Sequence, residues 1–210
     1  MTEPKERASR LTPVVEGVIR WSVRESRIGD APGESYAVRR GGKQVLIDPL
    51  PLSPAALQRL EEGGRVSAIV LTIQSHQRSS WRYAKHFEVP VFAPRGAQGL
   101  DETPERFYRA GDELPLGLQP IALPGPAFSA HGLFWRSAVG TVLFCGDLVT
   151  RSRGPLRFVP DEYMDAPARA RESVRRLLSR EVKVLCPGHG APLIGSVRQA
   201  LRKALERDGE

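Results

Sequence analysis

The sequence predicts an α/β fold, α+β in some schemes, in which two mixed β-sheets pack face to face and are flanked by helices. Three observations lead to this prediction. Strand patterns occur in two blocks, one in each half of the chain, with helical patterns between them. Two of the strand segments are continuous apolar runs, which is typical of strands covered on both faces. The chain has 210 residues and 40% hydrophobic content, which is enough for one sizeable core in a single domain.

The first block of strands begins with an alternating segment and continues with a hairpin. In "VVEGVIRWSVR" apolar and polar residues alternate, so that Val15, Ile19 and Trp21 share one face of a predicted half-buried strand. After the loop "IGDAPGE", the segments "SYAVRR" and "KQVLID" flank Gly41 and Gly42. Two strands joined by a Gly-Gly turn predict a β-hairpin.

Two helices and two further strands follow the hairpin. Ser53 and Pro54 suit the N-cap and the first position of a helix, "AALQRLEE", and Gly63 and Gly64 suit its end. The apolar run "VSAIVLT" predicts a buried strand, "SWRYAKHF" a helix and "VPVFA" another strand.

The second block lies in the C-terminal half. Here "LQPIALP", "GLFWRS" and "TVLFCGD" predict three strands, "APARARESVRRLLSR" a helix, "VKVLC" a buried strand and "IGSVRQALRKALER" a closing helix. We expect residues 1–13 to be disordered because they are polar and charged, and residues 14–210 to form the single domain.

The net charge of +7 and the pI near 9.9 raise the question of anionic partners such as nucleic acid, nucleotides or CoA-like thioesters. The basic residues are scattered from Arg7 to Arg207, which favours a solvated surface, and no stripe of aromatic and basic residues favours nucleic acid. No apolar run approaches the ~20 residues of a membrane span, and "MTEPKERASR" lacks the apolar core of a signal peptide. We therefore expect a cytoplasmic protein with no membrane partner, in which Cys145 and Cys186 are free and buried.

Three polar side chains stand where predicted strands end. Asp147 follows the strand in "LFCGD", His189 follows the strand in "VLCPGHG", and His76 follows the run "IVLT". Loops at strand ends are a common location for functional side chains because the sheet holds them rigidly. Any one of the three would more simply be a cap or turn residue, but three in this order indicate a site.

The order of these motifs resembles the metallo-β-lactamase superfamily from about Ser35 to Leu201. "SYAVRRGGKQVLIDP" is similar to the family's opening hairpin, with Asp48 as its first motif aspartate, and "IVLT" to the strand before its His-x-His-x-Asp-His signature. "ALPGPAF", "LFCGD" and "CPGHG" are similar to the family's Pro-Gly-His loop, its Gly-Asp loop and the loop of its last metal histidine. The resemblance implies a four-layer αββα sandwich with a one- or two-metal hydrolase site along one edge.

The metal-binding signature itself is degenerate. Ile73 begins the segment "IQSHQRS" where the family has its four ligands, and Pro126 stands where the next histidine belongs. With or without a one-residue slip that aligns His76 with a signature histidine, Arg78 takes the place of a ligand. Arginine is always protonated and cannot bind a metal.

The candidate ligands that remain are His76, Asp147 and His189. Two imidazoles and a carboxylate can hold one zinc or iron ion but are too few for two four-coordinate ions, so we expect no dinuclear zinc. In the family pattern the two histidines belong to different metals. His131, Cys145 and Cys186 could in principle add ligands, but the cysteines are better interpreted as small buried residues at strand ends.

Two functions follow from this ligand set. The favoured one is a catalytically impaired member without a cofactor, which binds a small anionic ligand in the old cleft. The arginines of the motif loops would bind that ligand: Arg78, Arg82, Arg151 and Arg153. The alternative is a hydrolase of an ester, thioester or phosphoester that uses a single zinc or iron ion, with Asp147 and His76 as catalytic residues.

A further expectation concerns the charge of Asp147. Without metals this carboxylate would be buried without a counter-charge, which costs several kcal/mol. The guanidinium of Arg78 is therefore expected to pair with it. The alternative is that Arg78 faces solvent and that backbone amides of the Gly-Asp turn hold Asp147.

Overall fold

The computed structural model describes residues 3–25, 31–152 and 154–208. The strands in this part of the chain are β1 Thr12–Val15, β2 Val18–Glu25, β3 Ala31–Arg40, β4 Lys43–Ile47, β5 Arg65–Val70, β6 Val91–Pro94, β7 Arg106–Tyr108, β8 Gln119–Ala122, β9 His131–Ser137, β10 Gly140–Gly146, β11 Val149–Thr150, β12 Arg157–Phe158, β13 Val184–Pro187 and β14 Leu193–Ile194. The α-helices are α1 Pro54–Glu62, α2 Ser80–Phe87, α3 Pro167–Leu177 and α4 Val197–Asp208.

Seven strands form the first sheet, in the order β1 to β7. Strands β1 to β4 are antiparallel, whereas β4 to β7 are parallel. The segment "VVEGVIRWSVR" was expected to be one strand, and that expectation is wrong. Gly17, at φ 76°, makes the turn of a hairpin between β1 and β2, because glycine adopts this left-handed backbone without strain.

The second sheet has the order β14-β13-β10-β9-β8. It is also mixed, because β10 and β13 run parallel while the other neighbours are antiparallel. The two-residue strands β11 and β12 make a separate small ribbon. The sequence analysis did not predict β7, β11, β12 and β14, since two or three residues are too few to show a period.

Both sheets are covered on both faces. On β4, Leu46 packs against the helices α1 and α2, and the preceding residue, Val45, packs between the sheets. On β10, Phe144 packs between the sheets, and its neighbour Leu143 packs against α3 and α4. Because successive strand residues point to opposite faces, these pairs define four layers. The predicted αββα sandwich is confirmed.

Helix α1 begins where its cap residues predict. The Ser53 hydroxyl accepts a hydrogen bond from the Ala56 amide at 3.3 Å, Pro54 is the first helical residue, and Gly63 is the C-cap. This cap supplies a partner for an amide that the helix itself leaves unpaired.

Residues 3–13, for which the sequence predicts disorder, lie against the domain. The Ala8 amide donates to the Pro51 carbonyl at 2.8 Å, and the Ser53 amide donates to the Ala8 carbonyl at 2.9 Å. Ala8 is 6% exposed. This pairing with the segment before α1 holds the N-terminal residues, which their polar composition alone does not indicate.

No helix in the described ranges combines the length and the apolar character that crossing a membrane requires.

Candidate metal centre

Parallel strands bring the candidate ligands to one edge of the sandwich. Since β10 and β13 are parallel neighbours, their C-terminal ends meet, and Asp147 and His189 follow those ends. In the first sheet β4 and β5 are also parallel neighbours, so Asp48 lies close to the 3₁₀ turn of His76. As the motif order predicts, His76, Asp147 and His189 converge.

One ligand atom from each of these three residues lies within 4.8 Å of the other two. His76 Nε2 is 3.0 Å and His189 Nε2 is 3.2 Å from the same oxygen, Asp147 Oδ1. These contacts lack the angles of hydrogen bonds, and within the described chain His76 Nε2 and Asp147 Oδ1 are buried with no hydrogen-bond partner. Imidazole and carboxylate groups that converge at ion-pair distance without hydrogen-bond geometry fit a metal ion.

Asp48 fixes the orientation of His76 from behind. Its carboxylate accepts hydrogen bonds from the Thr72 amide at 2.7 Å and from the Thr72 hydroxyl at 2.5 Å. His76 Nδ1 lies 3.0 Å from the same carboxylate. A proton on Nδ1 therefore donates to Asp48 and directs Nε2 toward Asp147, as in metal sites in which a carboxylate supports a ligating histidine.

The electrostatics of the metal-free site favour a second proton on His76. Burial and the Arg78 guanidinium lower the pKa of His76, but Asp147 and Asp48 raise it more, to about 9. Burial raises the pKa of Asp147, while His76 and His189 lower it more, so that this pKa lies well below its usual range. Without an ion the site is thus an ion-paired cluster, and an ion would have to displace the His76 proton.

Two glycines make the close approach of these loops possible. A Cβ on Gly188 would lie 2.5 Å from His76 Cε1 and 3.0 Å from Asp147 Oδ1. A Cβ on Gly146 would lie 2.7 Å from the Thr72 hydroxyl, and Gly146 has a φ of 53°. Any side chain at these positions would push the ligand loops apart.

Arg78 does not form the expected pair with Asp147. The ion pairs of Asp147 with described residues go to His76 and His189. Arg78 is 4% exposed, and its Nη1 donates to the carbonyls of Glu34 at 2.8 Å and Asp48 at 3.2 Å. Glu34 lies in β3 beyond its last pair with β4, and Asp48 directly follows β4, so Arg78 supports the backbone beneath the site.

The other arginines proposed for an anionic ligand have partners in the protein. Arg82 pairs with Glu3 at 2.6 Å, and Arg151 donates to the Pro192 carbonyl at 2.7 Å. Arg153 lies outside the described residues.

A family model described as the metallo-beta-lactamase superfamily matches residues 18–206, which is most of the chain. The chain belongs to this superfamily. A search of curated proteins gave no match.

Solved metallo-β-lactamase structures share the architecture at low sequence identity. DIM-1 metallo-β-lactamase exposed to ceftazidime is 14% identical with a TM-score of 0.78, and the match covers 97% of this chain and 98% of that one. The enzyme from Pontibacter korlensis is 18% identical with a TM-score of 0.75, covering 94% and 98%. FIM-1 from Pseudomonas aeruginosa, in its mono-zinc form, is 16% identical with a TM-score of 0.75, covering 98% of both chains. At these identities the likeness concerns the fold.

Ile73 and Pro126 are the residues for which the resemblance predicts ligand positions. Ile73 is 3% exposed and packs with Ala127 and Ala130, which follow Pro126. His131 is buried and its Nδ1 contacts the Ser129 carbonyl at 2.8 Å, so it lies apart from the candidate ligands.

The two cysteines are also apart from the metal centre. Cys145 and Cys186 are free and buried, as expected. Burial raises the pKa of Cys145 to about 12 and the pKa of Cys186 well above its usual value, so both remain thiols and are poor ligands.

The sequence analysis missed the supporting roles of Asp48, Thr72 and Gly188. Asp48 was named as the first motif aspartate, but its contact with His76 was not foreseen. Its position directly after a predicted strand was the available signal, because parallel neighbours end at the same edge. Thr72 and Gly188 carry no comparable signal, since their roles depend on close approach in space.

Proposed function

We propose that the protein is a hydrolase that holds one zinc or iron ion on His76, Asp147 and His189 and cleaves an ester, thioester or phosphoester. The observation that carries this proposal is the 3.0 Å approach of His76 Nε2 to Asp147 Oδ1, both buried and, among described residues, without hydrogen-bond partners. A buried polar atom without a partner costs about 1–3 kcal/mol. An ion bound by both atoms accounts for that arrangement.

The donor set fits a catalytic ion better than a structural one. Catalytic zinc sites use three protein ligands, whereas structural sites are closed by four. Two histidines and one carboxylate also suit iron(II). When bound, such an ion supplies Lewis acidity and activates a water molecule as the nucleophile.

The residues around the ion control access of the substrate and the position of the water molecule. His76, with a side chain 4% exposed, closes the back of the centre, while Asp147 at 17% and His189 at 12% leave it open toward solvent. Substrate therefore approaches from the side of Asp147 and His189. Asp48 keeps a proton on His76 Nδ1, and the second oxygen of Asp147 orients the attacking water by accepting a hydrogen bond from it.

Elemental analysis of protein purified without a histidine tag tests the proposal. We expect about one zinc or iron ion per chain, and little or none in His76→Ala or Asp147→Ala. His86→Ala is the matched control, because His86 is an exposed histidine that pairs with Glu61. Hydrolysis of p-nitrophenyl acetate and of a simple thioester should stop after chelation and return when zinc is added. Metal-free protein with chelator-insensitive activity would contradict the proposal.

The metal-free anion-binding module remains the second candidate because of one observation. With a pKa of about 9, His76 carries a positive charge at neutral pH and faces both Asp147 and Asp48 without an ion. The pairing of Arg82 with Glu3 and of Arg151 with the Pro192 carbonyl counts against this candidate, because both guanidinium groups already have partners in the protein. The same elemental analysis separates the two, since the module should purify without metal.

A further inference from the structure

Two aromatic side chains are exposed on neighbouring loops next to the metal centre. Phe128 is 65% exposed and Tyr163 is 64% exposed. An exposed apolar patch, in contrast to a single exposed side chain, is a feature of binding surfaces. We call Phe128 and Tyr163 the aromatic rim.

Hydrogen bonds join the two loops that carry the rim. The amides of Asp165 and Ala166 donate to the carbonyls of Pro126 and Gly125, at 3.3 and 3.0 Å. The Phe128 amide donates to the Asp165 carboxylate at 3.1 Å. The two rings are therefore presented by one connected surface.

The same surface adjoins the metal centre. The Ser129 hydroxyl donates to the Gln74 side chain at 2.7 Å, and Gln74 begins the 3₁₀ turn that ends at His76. Ile73 packs with Ala127 on the other side of this contact. Phe128 thus lies one residue from a direct contact with the turn that supplies a candidate metal ligand.

The Phe128 ring is braced rather than loose. The Arg169 guanidinium lies over it at 5.9 Å from the ring centre, a cation–π geometry. An aromatic ring that is already held in place loses little conformational freedom when a ligand packs on it. The aromatic rim is therefore prepared to bind an apolar group.

We propose that Phe128 and Tyr163 bind the apolar acyl group of the substrate, which makes the substrate an ester or thioester with an acyl chain of several carbons. This inference rests on the proposed hydrolase function. Continuity of the rim with the metal centre selects a substrate group as its occupant, in preference to a second copy of the chain.

The kinetic test compares p-nitrophenyl acetate, butyrate and octanoate. For the zinc-loaded wild-type protein, kcat/KM should rise with chain length by about two- to fourfold per methylene, up to the reach of the rim. Phe128→Ala and Tyr163→Ala should flatten this rise through KM, so that the ratio of kcat/KM for octanoate to kcat/KM for acetate falls toward one. The matched control is Phe107→Ala, which removes an exposed ring, 45% accessible, from β7 of the first sheet and should keep the rise.

A binding test separates failure of the rim from failure of the hydrolase. Octanoate is titrated into chelator-treated protein and followed by NMR, with acetate as the short-chain comparison. Octanoate binding that is lost in both rim variants and kept in Phe107→Ala supports the rim even if no ester is hydrolysed. No octanoate binding together with equal kcat/KM for all three esters overturns it. So does a wild-type dimer that becomes monomeric in the rim variants, since the rings would then serve self-association.

Discussion

Raising the pH from 7 to 9 should strengthen zinc binding by about 50-fold, half of the roughly 100-fold gain expected well above the pKa of His76. In the metal-free protein the pKa of His76 is about 9, because Asp147 and Asp48 outweigh burial and Arg78. The proton on Nε2 must leave before an ion binds. Removing this proton reduces the free energy of zinc binding by about 1.36 kcal/mol for each pH unit below the pKa. At pH 7 the reduction is therefore about 2.7 kcal/mol. The affinity should therefore rise about tenfold per pH unit and level off above pH 9 or so.

Competition with a chromophoric zinc chelator at pH 7, 8, 9 and 10 measures this dependence. Calorimetry in two buffers of different ionisation enthalpy should show about one proton released from the site per ion at pH 7–8. Asp48→Asn removes one of the two carboxylates that raise the His76 pKa, so the pH above which the zinc affinity stays constant should be lower in this variant. Asp112→Asn, a change at an exposed carboxylate, is the control. An affinity that stays constant between pH 7 and 9 would refute the reasoning.

Three further substitutions give defined expectations. Burial raises the pKa of Glu34 from 4.5 to about 7 despite Arg20, so its stabilising effect is complete below pH 4.5 and is lost as the pH rises to 7. Glu34→Gln should therefore remove a fall of about 2–3 kcal/mol in the free energy of unfolding between pH 5 and 8, measured with urea. Gly188→Ala, whose Cβ would lie 2.5 Å from His76 Cε1, should weaken zinc binding at least about tenfold while the circular dichroism is kept. Arg78→Ala removes a donor from two buried carbonyls and should lower the free energy of unfolding by about 3 kcal/mol in urea.

Each of these three expectations has an opposite outcome. An equal effect of Glu34→Gln at pH 5 and pH 8 would mean that Glu34 is charged throughout this range. Unchanged zinc affinity in Gly188→Ala would mean that the loop moves away without disturbing His76. A cost below about 0.5 kcal/mol for Arg78→Ala is typical of a solvent-facing side chain and would exclude its role beneath the site.

The parts of the fold that local chemistry dictates were predictable from the sequence. The Ser53 cap, the Gly41-Gly42 turn and the helix "SWRYAKHF" all agree with the structure, because caps, turns and short periods act over a few residues. The hairpin at Gly17 was missed because apolar residues alternate in phase on either side of the turn. Strand β7 has three residues and is defined by its pairing with β6, so its own sequence shows no strand pattern.

The convergence of the three candidate ligands was predictable from the sequence, but the contacts around them were not. The order of the motifs indicates that His76, Asp147 and His189 meet, since strand ends share an edge. The partner of Arg78 was not predictable, because a long side chain reaches several acceptors and only the folded backbone decides among them. The positive φ of Arg78, 39°, is likewise invisible in its residue type.

The candidate centre also lies where the two sheets are joined. The Glu34 amide of the first sheet donates to the Gly188 carbonyl at 2.8 Å, and the His131 amide of the second sheet donates to the Thr72 carbonyl at 3.0 Å. An ion held here would cross-link the two halves of the chain, with His76 on one side and Asp147 and His189 on the other. Because ligands that bind only the folded state oppose its opening, zinc should slow amide hydrogen exchange in the strands of both sheets together. The centre would then link the two sheets of the sandwich, so that loss of the ion should increase local opening in both sheets at this edge rather than in a single loop.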